Sequence, residues 1–357
     1  MLDQDAPPSL RLLVLAARHD RGGPAGRILA ACADTRGLES RLVCGAGGLE
    51  PPPGIRIFQP FADGAFLAEA EPGFDATDHS QHDADLLRRL ADWLADWPPD
   101  LVHLHDLAPF GMEFIGLIRR VVPTARILLS LTPELAGRLG ITGPPRGFLH
   151  AAPLRRFLAE ATLLLPCASL IPPALEFGLD PARLLVHAPL WRALAESPPP
   201  PLGRFLVVAC FPQNEMERGL LAATAALLAH SPEVRLLEME GDPTLASAHL
   251  LLLPDAGGAD TEGLAMSALA LRRPVICAAQ GPLASQIQAG RDGWHCPMNA
   301  TALAHLLLDL AAAPDQVAVM AKAVLPPPSP AEAAVALVAL YRDMAADPAR
   351  IAPPMRV

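Results

Sequence analysis

Ser197-Pro198-Pro199-Pro200-Pro201, followed by Phe205-Leu206-Val207-Val208-Ala209-Cys210 and then by Gly219-Leu220-Leu221, divides the chain and restarts its pattern. Consecutive prolines hold the backbone extended and remove the donors that a helix or a ladder needs, so this segment reads as a linker. After it come an apolar run of strand length over 205–210, a polar loop over 212–218, and a helix over 220–228 opened by Gly219. The beginning of the chain has the same plan. An apolar run over 10–16 leads into a polar loop carrying Gly22-Gly23-Pro24, and helical spacing follows over 25–35. The repeat is one of architecture and not of sequence.

Outward from these two starts, strand-like and helix-like segments alternate. Short apolar runs at 41–44, 55–58, Leu101–Leu104, 126–131, Thr162–Leu165 and Leu184–Val186 suit strands buried on both faces. Between them, 84–97 places Leu86, Leu87, Leu90, Trp93 and Leu94 on one helical face, and Pro98-Pro99 stops it. In the second half, strands are expected at 234–239, 249–253, 274–278 and 294–296, with helices at 264–271, 283–289, 300–312 and 316–324. A second proline break at 326–330 precedes a last helix. Alternation of this kind predicts α/β architecture: two Rossmann-like, doubly wound parallel-sheet domains facing across a cleft. Their expected extents are 1–197 and 203–325, with a C-terminal helix over 330–346 free to pack back on the first domain.

Composition narrows the function classes. The chain has 357 residues, 51% hydrophobic and 18% charged, which suits two buried cores and not a disordered chain. A formal net charge of −10 and 4% aromatic residues predict no nucleic-acid partner, because phosphate binding needs clustered Lys and Arg. The acidic start, Met1-Leu2-Asp3-Gln4-Asp5, lacks the positive charge and apolar stretch of a secretory signal. The six cysteines form no C-x-x-C pair and sit mostly in apolar runs, which predicts a reducing cytoplasm and neither a disulfide nor a zinc framework. Arg146, Arg155 and Arg156 beside Phe148-Leu149 could touch anionic lipid at the periphery of a membrane, but a solvated helix face is the better account of them.

Several segments resemble family 4 glycosyltransferases. Pro99-Asp100-Leu101-Val102-His103-Leu104-His105-Asp106 is similar to the family's P-D-hydrophobic-hydrophobic-H-x-H strand end, and Gly22-Gly23 to its glycine-rich acceptor-side loop. Glu217-Arg218-Gly219 resembles the family's x-K-G, and Glu262-Gly263-Leu264, followed by 270–276, resembles its E-G-L…A-x-G-x-P-V-I donor segment. Gln286-Ile287, with Gly290, Asp292 and Gly293, resembles E-hydrophobic-x-x-G-x-x-G. The resemblance implies the GT-B fold and retaining transfer from a nucleotide-sugar donor to a sugar or lipid-linked acceptor. It also implies that no metal and no resident cofactor take part.

By that resemblance, Glu262 and His105 are the candidate catalytic residues. Arg218, Gly219, Gly263, Leu264 and Ser267 would contact the donor, and Gly22, Gly23 and Asp106 the acceptor. The residue types fit the chemistry. A departing nucleoside diphosphate gathers negative charge that a cation and a helix N-terminus stabilise, and a carboxylate can orient sugar hydroxyls. Each candidate also has a plainer reading. Arg218 could be a surface residue near a helix start, Glu262 a helix-start carboxylate, Gly22-Gly23 an ordinary turn, and Ser267 helix packing. His103, deeper in its strand than His105, is expected to be a satisfied core residue.

Departures from the family pattern are specific. Seven residues beyond Glu262 the second glutamate position falls on Ala270, and counting back from Pro274-Val275-Ile276 places it at Ser267. No cation precedes Arg218 in its loop, and the stretch between the strands at 234 and 249 leaves too little chain for a further strand–helix unit. These losses motivate a second hypothesis, a catalytically silent GT-B relative acting as a binding or assembly subunit.

Overall fold

A computed structural model provides the structure. It describes residues 9–19, 24–33, 35–47, 55–58, 84–105, 111–131, 135–136, 158–201, 203–212, 214–239, 242–254, 261–279 and 283–346. These residues build two parallel sheets. The chain clusters into one unit of Met1–Thr132, Gly147–Leu190 and Ala331–Val357, and a second of Pro133–Arg146 and Trp191–Pro330.

In the first unit the elements are β1 (Leu10–His19), α1 (Pro24–Ala33), β2 (Leu38–Gly47), β3 (Arg56–Phe58), α2 (Ala84–Asp96), β4 (Leu101–Leu104), α3 (Gly111–Val121), β5 (Arg126–Ser130), β6 (Thr162–Leu165), α4 (Ile171–Glu176) and β7 (Leu184–Val186). The strands lie in the order β3-β2-β1-β4-β5-β6-β7, every pairing parallel. Leu12, Val14, Leu42, Leu101 and Leu128 of adjacent strands share one core with Ile28 and Leu29 of α1, which is why these strands read as unbroken apolar runs. Arg41, on β2, is a charged exception. Its guanidinium lies 5.3 Å from the Trp93 ring and 4.4 Å from the Trp97 ring, and cation–π attraction offsets the burial of its charge.

The second unit contains β8 (Leu206–Cys210), α5 (Glu215–Leu227), β9 (Val234–Glu238), α6 (Asp242–Ser247), β10 (Leu250–Leu253), α7 (Thr261–Ala270), β11 (Val275–Ala278), β12 (Gly293–Cys296), α8 (Ala300–Ala312) and α9 (Pro314–Ala323). Its sheet order is β12-β11-β10-β8-β9, again all parallel. Gly293 is required by packing: a Cβ there would overlap the Val275 carbonyl on the neighbouring strand.

The last helix, α10 (Pro330–Ala346), supplies Leu337, Tyr341 and Met344 to the core of the first unit. Tyr341 Oη lies 2.6 Å from His103 Nδ1, and His103 Nε2 lies 2.8 Å from Ser130 Oγ, so both nitrogens of this buried imidazole are satisfied. Arg342 adds a bond to the Arg36 carbonyl.

The proline linker is fastened to the second unit. Prolines offer carbonyls but no N–H, so only donors can hold them. Arg273, fully buried, donates to the carbonyls of Ser197, Pro198, Ala246 and Leu271. His249 accepts the Val207 N–H on Nδ1 at 2.9 Å, which leaves Nε2 protonated and facing the Pro201 carbonyl at 3.4 Å.

Three local expectations are corrected. The helix after β8 begins at Glu215 and not at Gly219, because Asn214 caps it by accepting the Glu217 N–H at 3.0 Å. The helix after β10 begins at Thr261, three residues earlier than periodicity alone places it. The helix expected over 283–289 is a single 3-10 turn, Leu283–Ser285.

Candidate functional site

In open parallel sheets ligands gather at the carboxyl ends of the strands, where strand order reverses. The reversal falls between β1 and β4 in the first sheet and between β8 and β10 in the second. Of the predicted residues, His105 directly follows β4, Arg218 and Gly219 lie in the helix that follows β8, and Glu262, Gly263, Leu264 and Ser267 lie in the helix that follows β10. Gly22, Gly23 and Asp106 lie outside the described residues, as do Arg146, Phe148, Leu149, Arg155 and Arg156.

Around the first reversal, His105 is tied into the sheet by its backbone N–H, which donates to the Leu15 carbonyl at 2.9 Å. Its Nδ1 is buried and has no partner among the described residues. Burial, reinforced by the nearby positive charge of Arg27 in the first turn of α1, draws its pKa down to about 4. The imidazole is therefore neutral at physiological pH, suited to accepting or donating a hydrogen bond and not to acting as a cation. His103 packs edge-on against it, with ring centroids 6.3 Å apart, and burial also holds His103 well below the ordinary histidine range.

Around the second reversal the charges are mutually engaged. Arg218 is the fourth residue of α5, and its backbone N–H already donates to the Asn214 carbonyl. Its guanidinium bonds Glu215 at 2.8 Å and Glu238, the last residue of β9, at 3.3 Å. Those two carboxylates raise its pKa, and its side chain stays 49% exposed. The start of α5 is also occupied: Glu217 is buried, and its Oε1 accepts from Asn214 Nδ2 at 3.2 Å. The expectation that Arg218 and Gly219 stand at a helix N-terminus open to phosphate is thus corrected, since the cap moves that terminus four residues upstream of Arg218.

Glu262 occupies the first turn of α7, where the helix dipole favours a carboxylate. Gln286 Nε2 donates to its Oε1 at 2.6 Å. In the sequence Gln286 stands only as part of a motif, and its signal is an amide where the resembling pattern carries a carboxylate. Ser267 is buried, and its hydroxyl lies 2.9 Å from the Gly263 carbonyl and 3.1 Å from that of Arg192. Its oxygen therefore ties α7 to the segment leading out of the first unit. Asp292 is likewise engaged, accepting from Arg291 at 2.9 Å and from the Gln288 N–H at 3.3 Å. Among the described residues no group of three or more His, Cys, Asp or Glu side chains is arranged to hold a metal ion.

Comparisons with known proteins fix the fold and leave the family open. No family model and no curated protein sequence matches the chain. Solved structures do match along nearly its whole length. A protein assigned as a UDP-N-acetylglucosamine 2-epimerase, from Listeria monocytogenes, is similar with a TM-score of 0.62 at 14% identity, over 98% of this chain and 100% of that one. Sucrose-phosphate synthase from Thermosynechococcus elongatus gives 0.62 at 13% identity, over 94% and 99%. HepE from Anabaena, solved with UDP and glucose, gives 0.59 at 13% identity, over 94% and 98%. Identities this low carry the architecture alone: the chain has the GT-B fold, two Rossmann-like domains of parallel sheet, shared by glycosyltransferases and by UDP-N-acetylglucosamine 2-epimerases.

Proposed function

We propose that the chain is a retaining, metal-independent glycosyltransferase that moves a sugar from a nucleotide-sugar donor to a glycan, lipid or small-molecule acceptor. The observation that carries this reading is Glu262, set in the first turn of α7 just beyond β10 and held by Gln286 at 2.6 Å. A carboxylate fixed at a strand-end helix start can orient sugar hydroxyls, while the adjoining Gly263 and Leu264 amides face the same helix-start region that favours phosphate. Support also comes from the structural relatives solved with UDP or UDP-glucose. In this reading the second unit takes the donor and the first the acceptor, with His105 as a neutral hydrogen-bonding group and Gly22, Gly23 and Asp106 as the other acceptor candidates. The six free cysteines, five of them buried, favour a reducing cytoplasm as the setting.

Turnover of a nucleotide-sugar panel tests the proposal. Release of nucleoside diphosphate with retained anomeric configuration in the product is expected, and Glu262→Ala should lower it by about a hundredfold without unfolding the protein. Conversion of the donor to its 2-epimer with no transfer would assign the other activity that this fold carries.

A second reading, a catalytically silent binding or assembly subunit, is favoured by one observation. Arg218, the candidate phosphate cation, is engaged by Glu215 and Glu238, so a diphosphate would have to compete with two carboxylates. Under that reading no nucleotide sugar turns over and Glu262→Ala leaves partner binding unaltered.

A further inference from the structure

Gln286 is built into the second unit more firmly than a surface amide needs to be. Its backbone N–H and that of Ile287 both donate to the Leu283 carbonyl, at 2.9 and 2.8 Å. The Ile287 side chain is buried in the unit's core, and His295 Nε2 holds the Ile287 carbonyl at 2.8 Å. From this platform, between β11 and β12, the amide reaches the first turn of α7 and meets Glu262 Oε1 at 2.6 Å, shorter than an ordinary N–H···O bond.

The far side of the same amide is informative. Gln286 Oε1 is buried and has no partner among the described residues. Turning the amide over would point that oxygen at the carboxylate, so the orientation is dictated by the charge on Glu262, and the orphaned oxygen is the cost. An interaction retained at that cost indicates that the contact with Glu262 matters more than satisfying the amide.

We propose that Gln286 is a positioning residue for Glu262: its amide N–H fixes the plane of the carboxylate as the acceptor for a hydroxyl of the bound sugar. The proposal rests on the nucleotide-sugar reading for its ligand, but the contact itself can be examined without one. A carboxamide suits this place because it donates without titrating. A second carboxylate at the same distance would share a proton with Glu262, since two carboxylates so close do not both ionise.

The test uses the whole chain and three forms: wild type, Gln286→Met, which keeps length and removes the donor, and Gln286→Glu. The Glu262 side-chain carboxyl is followed by 13C NMR titration without ligand, and UDP-glucose and UDP binding are measured alongside. The expected result is a Glu262 titration moved to higher pH in Gln286→Glu by at least about tenfold in proton concentration, and moved less in Gln286→Met. UDP-glucose affinity should fall about fivefold or more in both variants, with UDP affinity little changed, because the lost positioning acts on the sugar. A shifted titration in a protein that binds neither ligand would sink the nucleotide-sugar reading and, with it, the sugar-orienting role. An unshifted titration in both variants would overturn the proposal outright. Should Gln286→Glu fail to fold, Gln286→Met carries the same comparison.

Discussion

The two sheets follow one plan, but the first has seven strands and the second five, one fewer at each edge. In the first, β3 lies outside β2, which lies outside β1; in the second, β9 lies outside β8 and nothing described lies outside β9. The chain between Glu238 and Leu250 has room only for α6. The strand missing there would flank the carboxyl end of β9, where Arg218 meets Glu238. The fuller sheet presents a neutral, partly unsatisfied imidazole at its order reversal, while the trimmed sheet presents charges already paired with one another. The lesson is that shared topology sets where a ligand can approach, whereas the local partners set what the site has left to offer.

The units also differ in how they hold the chain ends that pass between them. The first fastens its returning helix by a neutral network, Ser130–His103–Tyr341, and the second fastens the proline linker by a buried cation. The largest expected effect follows from that cation. Arg273→Ala removes a fully buried side chain and leaves carbonyls of both the linker and two helix ends unsatisfied, a loss of about 4 kcal/mol. Hydrogen exchange resolved by segment should rise across β8, β10 and β11 while β1 and β4 keep their protection.

Acid should act in the opposite sense. His103, His105 and His187 of the first unit have pKa values lowered chiefly by burial, and burial likewise lowers that of His249 in the second unit. A histidine neutral in the fold but near 6.5 when unfolded binds more protons in the unfolded state below that pH. Its stabilising contribution is therefore complete above pH 6.5 and falls as pH drops toward the folded value. For His105 the window runs from 6.5 down to about 4 and is worth roughly 3 kcal/mol. The first unit is expected to lose protection first as pH falls from 6.5 to 5; loss from the second unit first would break the contrast.

Tyr341→Phe keeps the packing of α10 and removes the hydroxyl at His103 Nδ1, leaving a buried nitrogen unpaired. The first unit should lose about 2 kcal/mol in denaturant melts, and exchange in α10 should rise with it. Least affected is the cap of α5. Asn214→Ala should cost about 1 kcal/mol and fray the turn containing Arg218, while Arg218→Ala, which removes an exposed ion pair, should leave the melting temperature unchanged.

Much of this architecture is legible in the sequence, because strands buried on both faces write themselves as short apolar runs. The bounds of β4, β6, β7 and α8 follow directly from composition and proline stops. Helix starts were harder to read. Asn214 begins α5 through a side-chain bond that periodicity does not report, so Arg218 lies within the helix and not in the loop before it, and Gly219 within the helix and not at its opening. Nor does periodicity reveal that Arg273, in a run of ordinary appearance, points inward to the linker, because the linker carbonyls it meets lie 75 and 76 residues away. His103 and His105 are separable in sequence only by depth in the strand. The partners of His103, Ser130 and Tyr341, are distant in the chain and spend its imidazole on the core, while His105 keeps an Nδ1 with no partner among the described residues. Gln286 shows the same limit, since its meaning depends on a carboxylate 24 residues earlier.

Ligand-induced thermal stabilisation is the most direct test of the account, run with nucleoside diphosphates and their sugars on the wild type and on Glu262→Ala. At least one diphosphate sugar is predicted to raise the melting temperature of the wild type by several degrees at about a hundredfold excess over Kd, and to lose most of that effect in the variant. A panel that leaves the wild type unmoved at saturation, or that stabilises both forms equally, would contradict a donor site organised around Glu262.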